Sequence, residues 1–135
     1  LRSSFSRSAE NTHHALGRRG EKIAARYLRK QRYKVLFRNF RANHGGEVDI
    51  VCRDGNVLVF VEVKTRSSGQ LGRPADAVNR EKRELISRGA LAWLRLLDRQ
   101  DVPFRFDIVE IVMEQQKPAI NLIQNAFELG GRSAY

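Results

Sequence analysis

Cysteine is nearly absent from this chain of 135 residues, where Cys52 stands alone. No internal disulfide can form, and a single thiol inside an apolar stretch fits a reducing compartment such as the cytoplasm. No apolar run approaches the ~20 residues of a membrane span, which argues against a helical membrane protein. The opening, Leu1 to Asn11, is rich in Ser and Arg and lacks the apolar middle of a secretory signal. Residues 1–15 are therefore expected to be disordered, 16–128 to form a single domain, and 129–135 to trail as a loose tail. Internal repeats and low-complexity segments are missing, and the length is enough for a core that needs no disulfide or metal staple. Acidic residues are scarce in one region above all. Up to Gly46 there are twelve Lys and Arg against Glu10 and Glu21, and beyond it thirteen basic residues meet thirteen acidic ones. The whole net charge of +10 thus lies in the first third, which suits a lobe that meets nucleic-acid phosphates. A solubilised helix face would look similar.

The most informative stretch runs from Gly46 to Lys64, where two apolar runs flank Asp54-Gly55. Asp-Gly between β-branched runs predicts a two-residue hairpin turn of type I′. With Asp54 and Gly55 as the loop, Arg53 faces Asn56, Asp49 faces Phe60 and Glu47 faces Glu62. Side chains alternate faces along a strand and directly paired residues share one. Glu47, Asp49, Glu62 and Lys64 therefore emerge together, with Val48, Ile50, Val61 and Val63 on the other side. Like charges side by side on a sheet repel. A divalent cation removes the conflict, and hard oxygen donors at this density suit magnesium or manganese rather than zinc. A sheet with one wet face would carry the same residues as solvated charges. Against that, Val57 to Val63 is apolar on both faces until Glu62, as in a strand covered on both sides, so Glu62 and Lys64 become charges at the rim of a core.

Asp49, followed by Glu62-Val63-Lys64 on the next strand, resembles the motif of the PD-(D/E)XK nucleases, which have the restriction-endonuclease-like fold. Val48 stands where the motif's name has Pro, a position that supplies no chemistry. Over a longer stretch, Gly17-Arg18-Arg19-Gly20-Glu21, Gly46-Glu47-Val48-Asp49, Phe60-Val61-Glu62-Val63-Lys64-Thr65-Arg66 and Gly72-Arg73-Pro74-Ala75-Asp76-Ala77-Val78 resemble the YraN family. These are poorly characterised bacterial proteins held to be related to archaeal Holliday-junction resolvases. The likeness runs from about Gly17 to Phe127. It implies an α/β, restriction-endonuclease-like domain and a metal-dependent endonuclease acting on nucleic acid, with DNA, branched DNA included, as the substrate and a symmetric dimer as the assembly. It also implies a magnesium or manganese ion held by Asp49, Glu62 and the carbonyl of Val63, with Lys64 beside the attacking water and Glu21 supporting the metal site or holding a second ion.

The remaining elements fit a mixed sheet flanked by helices. Leu16 to Gln31 has apolar residues at helical spacing, with Arg18, Arg19, Lys22 and Arg26 largely opposite. Tyr33 to Asn39 reads as the first strand, and Arg41 opens a basic loop containing His44, which is read as a solvent-exposed loop residue. Thr65 to Pro74 is a polar loop in which Arg66 and Arg73 are candidates to grip substrate. Ala75 to Leu97 reads as a long helix whose apolar stripe includes Trp93, Leu96 and Leu97. Lys82 falls within that stripe, either snorkelling outward or reaching a phosphate or a carboxylate of the site. Phe104 to Met113 is a strand after a helical crossover, which makes it parallel to the one before, and Ile120 to Ile123 is an edge strand. Arg18, Arg19, Lys22, Arg26, Arg41, Arg66, Arg73 and Lys82 are the candidate nucleic-acid contacts. Two other classes remain open: a catalytically weak nucleic-acid-binding module on the same fold, and an interaction protein whose acidic patch meets a basic partner.

Overall fold

The computed structural model describes residues 2–67, 78–98, 101–114 and 117–131, with residues 2–14 and 16 described for the backbone alone. Helix α1 (Arg2–Lys30) is followed by strands β1 (Lys34–Arg41), β2 (Glu47–Asp54) and β3 (Val57–Ser67). Helix α2 (Arg80–Leu97) then leads to β4 (Phe104–Glu114) and β5 (Lys117–Phe127). The five strands form one sheet in sequence order, antiparallel except for the β3–β4 pair, which is parallel. The mixed sheet with a helical crossover before its parallel strand is thus present as the sequence predicts.

Each helix covers one face of the sheet. Ala24, Ala25 and Leu28 of α1 pack with Ile50, Cys52, Val59, Val61, Val109 and Ile111. On the opposite face Ile86, Ala90 and Leu94 of α2 pack with Leu58, Phe60, Phe106, Ile108 and Phe127. Successive residues of β3 thus feed opposite cores, which is why that strand is apolar throughout. Phe106 and Phe127 stack with ring centroids 4.7 Å apart. Cys52 is fully buried, and burial first, then the nearby Asp107 charge, pushes its thiol up to about 12. It acts as a small apolar side chain, with no thiolate at neutral pH.

Several boundaries differ from the sequence expectation. α1 starts at Arg2, not Leu16, so the segment expected to be disordered lies in the helix; it holds no Gly or Pro to break it. The helix ends in a Schellman motif. Tyr33 N–H donates to Leu28 O (2.9 Å) and Arg32 N–H to Arg29 O (3.0 Å), with Arg32 at φ 69°. β5 begins three residues before Ile120 and reaches Phe127. α2 begins at Arg80 behind the cap Asn79, whose Oδ1 accepts from the Lys82 N–H at 2.8 Å. Residues 75–77 of the expected helix lie outside the described residues, as does Arg73. Leu96 and Leu97, expected in the buried stripe, are 72% and 41% exposed.

The hairpin turn is displaced by one residue. Asp54 pairs with Val57, leaving Gly55 and Asn56 as the loop, and Gly55 at φ 60° takes the first central position of a type II′ turn. Asp54 is kept in the strand by Arg105, whose Nη2 donates to Asp54 Oδ2 at 2.9 Å. Arg105 also donates through Nε to the fully buried Asp107 (3.1 Å), which in addition accepts from Tyr33 OH (3.2 Å) and from the Asn125 N–H (2.9 Å). This clasp ties β2, β4, β5 and the start of β1 together.

Candidate metal and nucleic-acid site

The displaced turn moves the register by two residues. Ile50, Val61 and Val63 stay together on the α1 face, whereas Val48, expected beside them, packs into the α2 core where the end of β2 turns toward that helix; across the hairpin every neighbour changes. Ile50 pairs with Val61, and one step further sets Asp49 opposite Glu62, where the sequence had placed Glu47. The backbone ladder stops at that step. Val63 N–H, instead of meeting a β2 carbonyl, donates to Asp49 Oδ2 at 2.8 Å. A side chain thus replaces the backbone as partner, so β2 and β3 part at this end and the two carboxylates lie in the opening.

Glu62 is 5% exposed, and its Oε2 is buried with no hydrogen-bond partner. Burial is the main reason its carboxyl is pushed up to about 9, and the Asp49 charge is the next. Its other oxygen, Oε1, lies 3.7 Å from Lys82 Nζ. The same ammonium makes a short contact with Glu47 Oε1, and Glu47 Oε2 receives Arg41 Nη1 at 3.2 Å. Burial alone would lower the Lys82 pKa, but Glu62, Glu47 and Asp49 overcome it and raise the value. Of the two expectations for Lys82, the one that reaches a carboxylate holds. The Asn79 cap fixes this residue in the first turn of α2, facing the strand ends.

Glu21 is half-buried on α1. Its pKa is raised, first by burial and then by the Asp49 charge, with Arg38 and Arg41 opposing. The helix comes this close because Gly20 has no side chain: a Cβ there would stand 2.1 Å from Thr65 Oγ1. Lys64 is half-buried, pairs in the β3–β4 register with Glu110, and has no ion pair among the described residues. Arg66 Nη2 lies 3.8 Å from Glu110 Oε1. Glu110, buried on β4, was missed by sequence reasoning, although a Glu inside the apolar run of Phe104 to Met113 is the same signal that singled out Glu62.

The basic candidates divide between places. Arg19, Lys22 and Arg26 line a groove of about 370 Å³ with Lys30, Tyr27 and Ile120, between α1 and the start of β5. Residues 19, 22, 26 and 30 recur at helical spacing, so one column of cations runs along α1. Arg18 is exposed on the same helix. Arg41, Arg66 and Lys82 instead sit against carboxylates.

Among the described residues no three His, Cys, Asp or Glu side chains converge as a ready metal cage. The adjoining Asp49 and Glu62 nevertheless suit a hard cation. Their donor atoms are oxygens, and Glu62 Oε2 is buried with no hydrogen-bond partner, a position that a bound cation would satisfy.

The profile of the uncharacterised protein family UPF0102 matches residues 20–111, which include Glu21, Asp49, Glu62, Lys64 and Lys82. The chain belongs to this family. It is 51% identical over 115 residues to a UPF0102 protein of Geobacter metallireducens, an alignment covering 85% of this chain and 93% of that protein. A UPF0102 protein of Geobacter sulfurreducens is 51% identical over 123 residues (89% of this chain, 95% of the relative). One from Syntrophomonas wolfei is 45% identical over 112 residues (83% and 96%). The YraN resemblance pointed to this family. The names of the relatives state no activity, so the chemistry is argued from the site. No helix among the described residues is long and apolar enough to cross a membrane.

Proposed function

We propose that this UPF0102 protein is a metal-dependent endonuclease of the PD-(D/E)XK type, hydrolysing phosphodiester bonds of nucleic acid, with DNA, branched DNA included, as the preferred class. The observation that carries this reading is the Asp49–Glu62 pair at the break in the β2–β3 ladder, with an unsatisfied oxygen on Glu62 and Lys64 two residues further along the same strand. Asp49, Glu62 and the carbonyl of Val63 would hold magnesium or manganese. When bound, the ion would polarise the scissile phosphate and make its water more acidic. Lys64 would orient that water or stabilise charge on the phosphoryl oxygens, and Glu21 would support the ligand set next to Asp49. The α1 cations would neutralise flanking phosphates. The resolvase likeness adds a symmetric dimer, and the buried thiol of Cys52 suits a reducing cytoplasm.

The test is cleavage of labelled linear, single-stranded and branched DNA and RNA with magnesium or manganese. Asp49→Ala should abolish both cutting and metal binding, whereas Lys64→Ala should retain the metal and lose about 10²–10³-fold in rate. A fully active Asp49→Ala protein would sink the assignment.

The second reading, a nucleic-acid-binding module with little turnover, is favoured by one observation: the Lys82 ammonium lies between Glu47 and Glu62, a cation of the protein's own already set beside the carboxyls. Lys82 then competes with the metal. Lys82→Met should tighten Mn2+ binding about tenfold, since even a partly solvent-screened ammonium opposes a nearby cation by ~1.4 kcal/mol. Mn2+ titration followed by electron paramagnetic resonance reads this directly, and unchanged affinity would remove Lys82 as a competitor.

A further inference from the structure

α2 has a second stripe that the core does not use. Arg88, Leu91, Ala92, Arg95 and Leu96 follow the spacing of one helical face, while Ile86, Ala90 and Leu94 are buried elsewhere on the helix. Together with Phe40 and the turn from Arg41 to Gly46, this stripe encloses a groove of about 400 Å³. Its lining contains Arg41, His44, Arg88 and Arg95, and no acidic residue. Among the described residues neither Arg88 nor Arg95 has an ion pair, and both are exposed. Leu96 leaves 72% of its surface to solvent beside them.

The groove is continuous with the candidate metal site through the chain itself. Gly46 lines it, and the next residue, Glu47, contacts Lys82 and through it Glu62. Arg88 lies along the turn, with Nη1 3.7 Å from where a Cβ on Gly45 would stand.

Charge and apolarity together select the occupant. Phosphates alone need cations but gain nothing from leucines, and a purely apolar ligand would leave the arginines without an anion. A nucleotide unit has both a flat apolar base and a phosphate. The volume lies near the lower end of the ~300–1,000 Å³ typical of small-ligand sites, a size for one unit and too small for a duplex. The base of a paired nucleotide has its faces covered by its stack, so only an unpaired one can present them.

We infer that the groove between the β1–β2 turn and α2 is a second nucleic-acid subsite that takes one unpaired nucleotide next to the cleavage position. The inference rests on the proposed nuclease function and names its substrate class: nucleic acid with a single-stranded segment at the site. Arg88 and Arg95 hold phosphate, Leu91 and Leu96 meet the base, and the α1 column on the other face of the sheet serves strands of either kind.

The experiment compares binding of a labelled single-stranded oligonucleotide and a blunt duplex of the same sequence in EDTA, where no metal-dependent cutting occurs. Three proteins are used: wild type, Arg88→Ala/Arg95→Ala, and Arg19→Ala/Lys22→Ala. The groove variant should lose about tenfold in single-strand affinity, with the slope of log affinity against log salt falling by about 1.4 for two lost phosphate contacts. Its duplex affinity should change less than about twofold, within what exposed charges far from a contact contribute. The α1 variant should weaken both substrates alike. A separate change, Leu96→Asn, should weaken the single strand by about threefold through lost apolar contact and leave its salt slope unaltered. Equal losses on both substrates in the groove variant, or no loss on either, would overturn the subsite while the α1 effect left the nuclease reading standing. A wild-type protein that binds neither substrate would overturn both.

Discussion

Glu62→Gln should make the metal-free protein more stable at pH 8 and remove its metal binding. In the folded chain the Glu62 carboxyl is pushed up to about 9, by burial first and the Asp49 charge second, from an ordinary value of 4.5. A carboxyl whose folded pKa is raised favours the folded state while it holds its proton. That contribution is complete below pH 4.5, where both states are protonated, and is lost as pH rises toward 9 because the unfolded chain gives up its proton first. Through this window one such group lowers stability with a slope approaching ~1.4 kcal/mol per pH unit. Glutamine has no proton to lose, so urea unfolding of the variant should show a flatter profile between pH 5 and 9, with the two proteins diverging as pH rises. The same shift gives the metal prediction its sign. A cation at Asp49 and Glu62 must displace the Glu62 proton, so Mn2+ binding to the wild type should release about one proton at neutral pH and tighten toward pH 9. Calorimetry in buffers of different ionisation enthalpy counts that proton. Mn2+ binding without proton release would show that Glu62 is already ionised and that the unsatisfied Oε2 has another explanation.

The sequence reading identified Glu62 for a reason the structure supports: a charge ending a strand that is otherwise apolar on both faces. The same reasoning recovers the sheet, since the hairpin, the helical crossover and the parallel strand are all local patterns. It misplaced the turn because Asp54-Gly55 is a strong type I′ signal taken alone, whereas Arg105, 51 residues on in the chain, holds Asp54 in the strand by a contact no local pattern reveals. The slip itself preserves faces, so Val48 alone of the paired apolar residues ends in the other core, and it is decisive for neighbours. A two-residue slip leaves Asp49, Glu62 and Lys64 where they were relative to the sheet, yet exchanges Glu47 for Asp49 as the partner of Glu62. Lys82 was legible as an anomaly on an apolar stripe, but its partners depend on how closely α2 approaches β2. That approach is set by two glycines, Gly46 and Gly89, whose meeting the sequence does not announce. Helical periodicity assigns Leu96 and Leu97 to the core because it cannot tell a stripe that packs on the sheet from apolar residues that line a groove, as Leu96 does, or stay exposed, as Leu97 does.

Gly46→Ala should be among the most damaging single-methyl substitutions in the described residues, and it should act on the site as well as on stability. A Cβ at Gly46 would stand 2.4 Å from Gly89 N and 2.6 Å from Arg88 C, and one at Gly89 would stand 2.9 Å from three backbone atoms of Glu47. No rotamer change relieves these contacts, because each partner is backbone. The helix must move off the strand, at a cost of roughly 2–4 kcal/mol of the kind seen when a packed interface is overfilled. Other glycines separate this mechanism from backbone conformation. Gly55→Ala meets nothing within 4 Å but sits at φ 60°, so its cost should be about 1 kcal/mol of strain. Gly17→Ala also has open space, on a helix at ordinary φ, and should stabilise by ~0.5–1 kcal/mol. Urea unfolding should therefore rank Gly46→Ala well below Gly55→Ala, with Gly17→Ala above the wild type. Because Glu47 follows Gly46 and Lys82 shares a helix with Gly89, moving α2 also draws the ammonium away from Glu47 and Glu62. Folded Gly46→Ala protein at low temperature should then bind Mn2+ like Lys82→Met, more tightly than the wild type. A Gly46→Ala protein as stable as the wild type would mean that α2 is not seated on β2 at this crossing, and the geometry of the Lys82 contacts would fall with it.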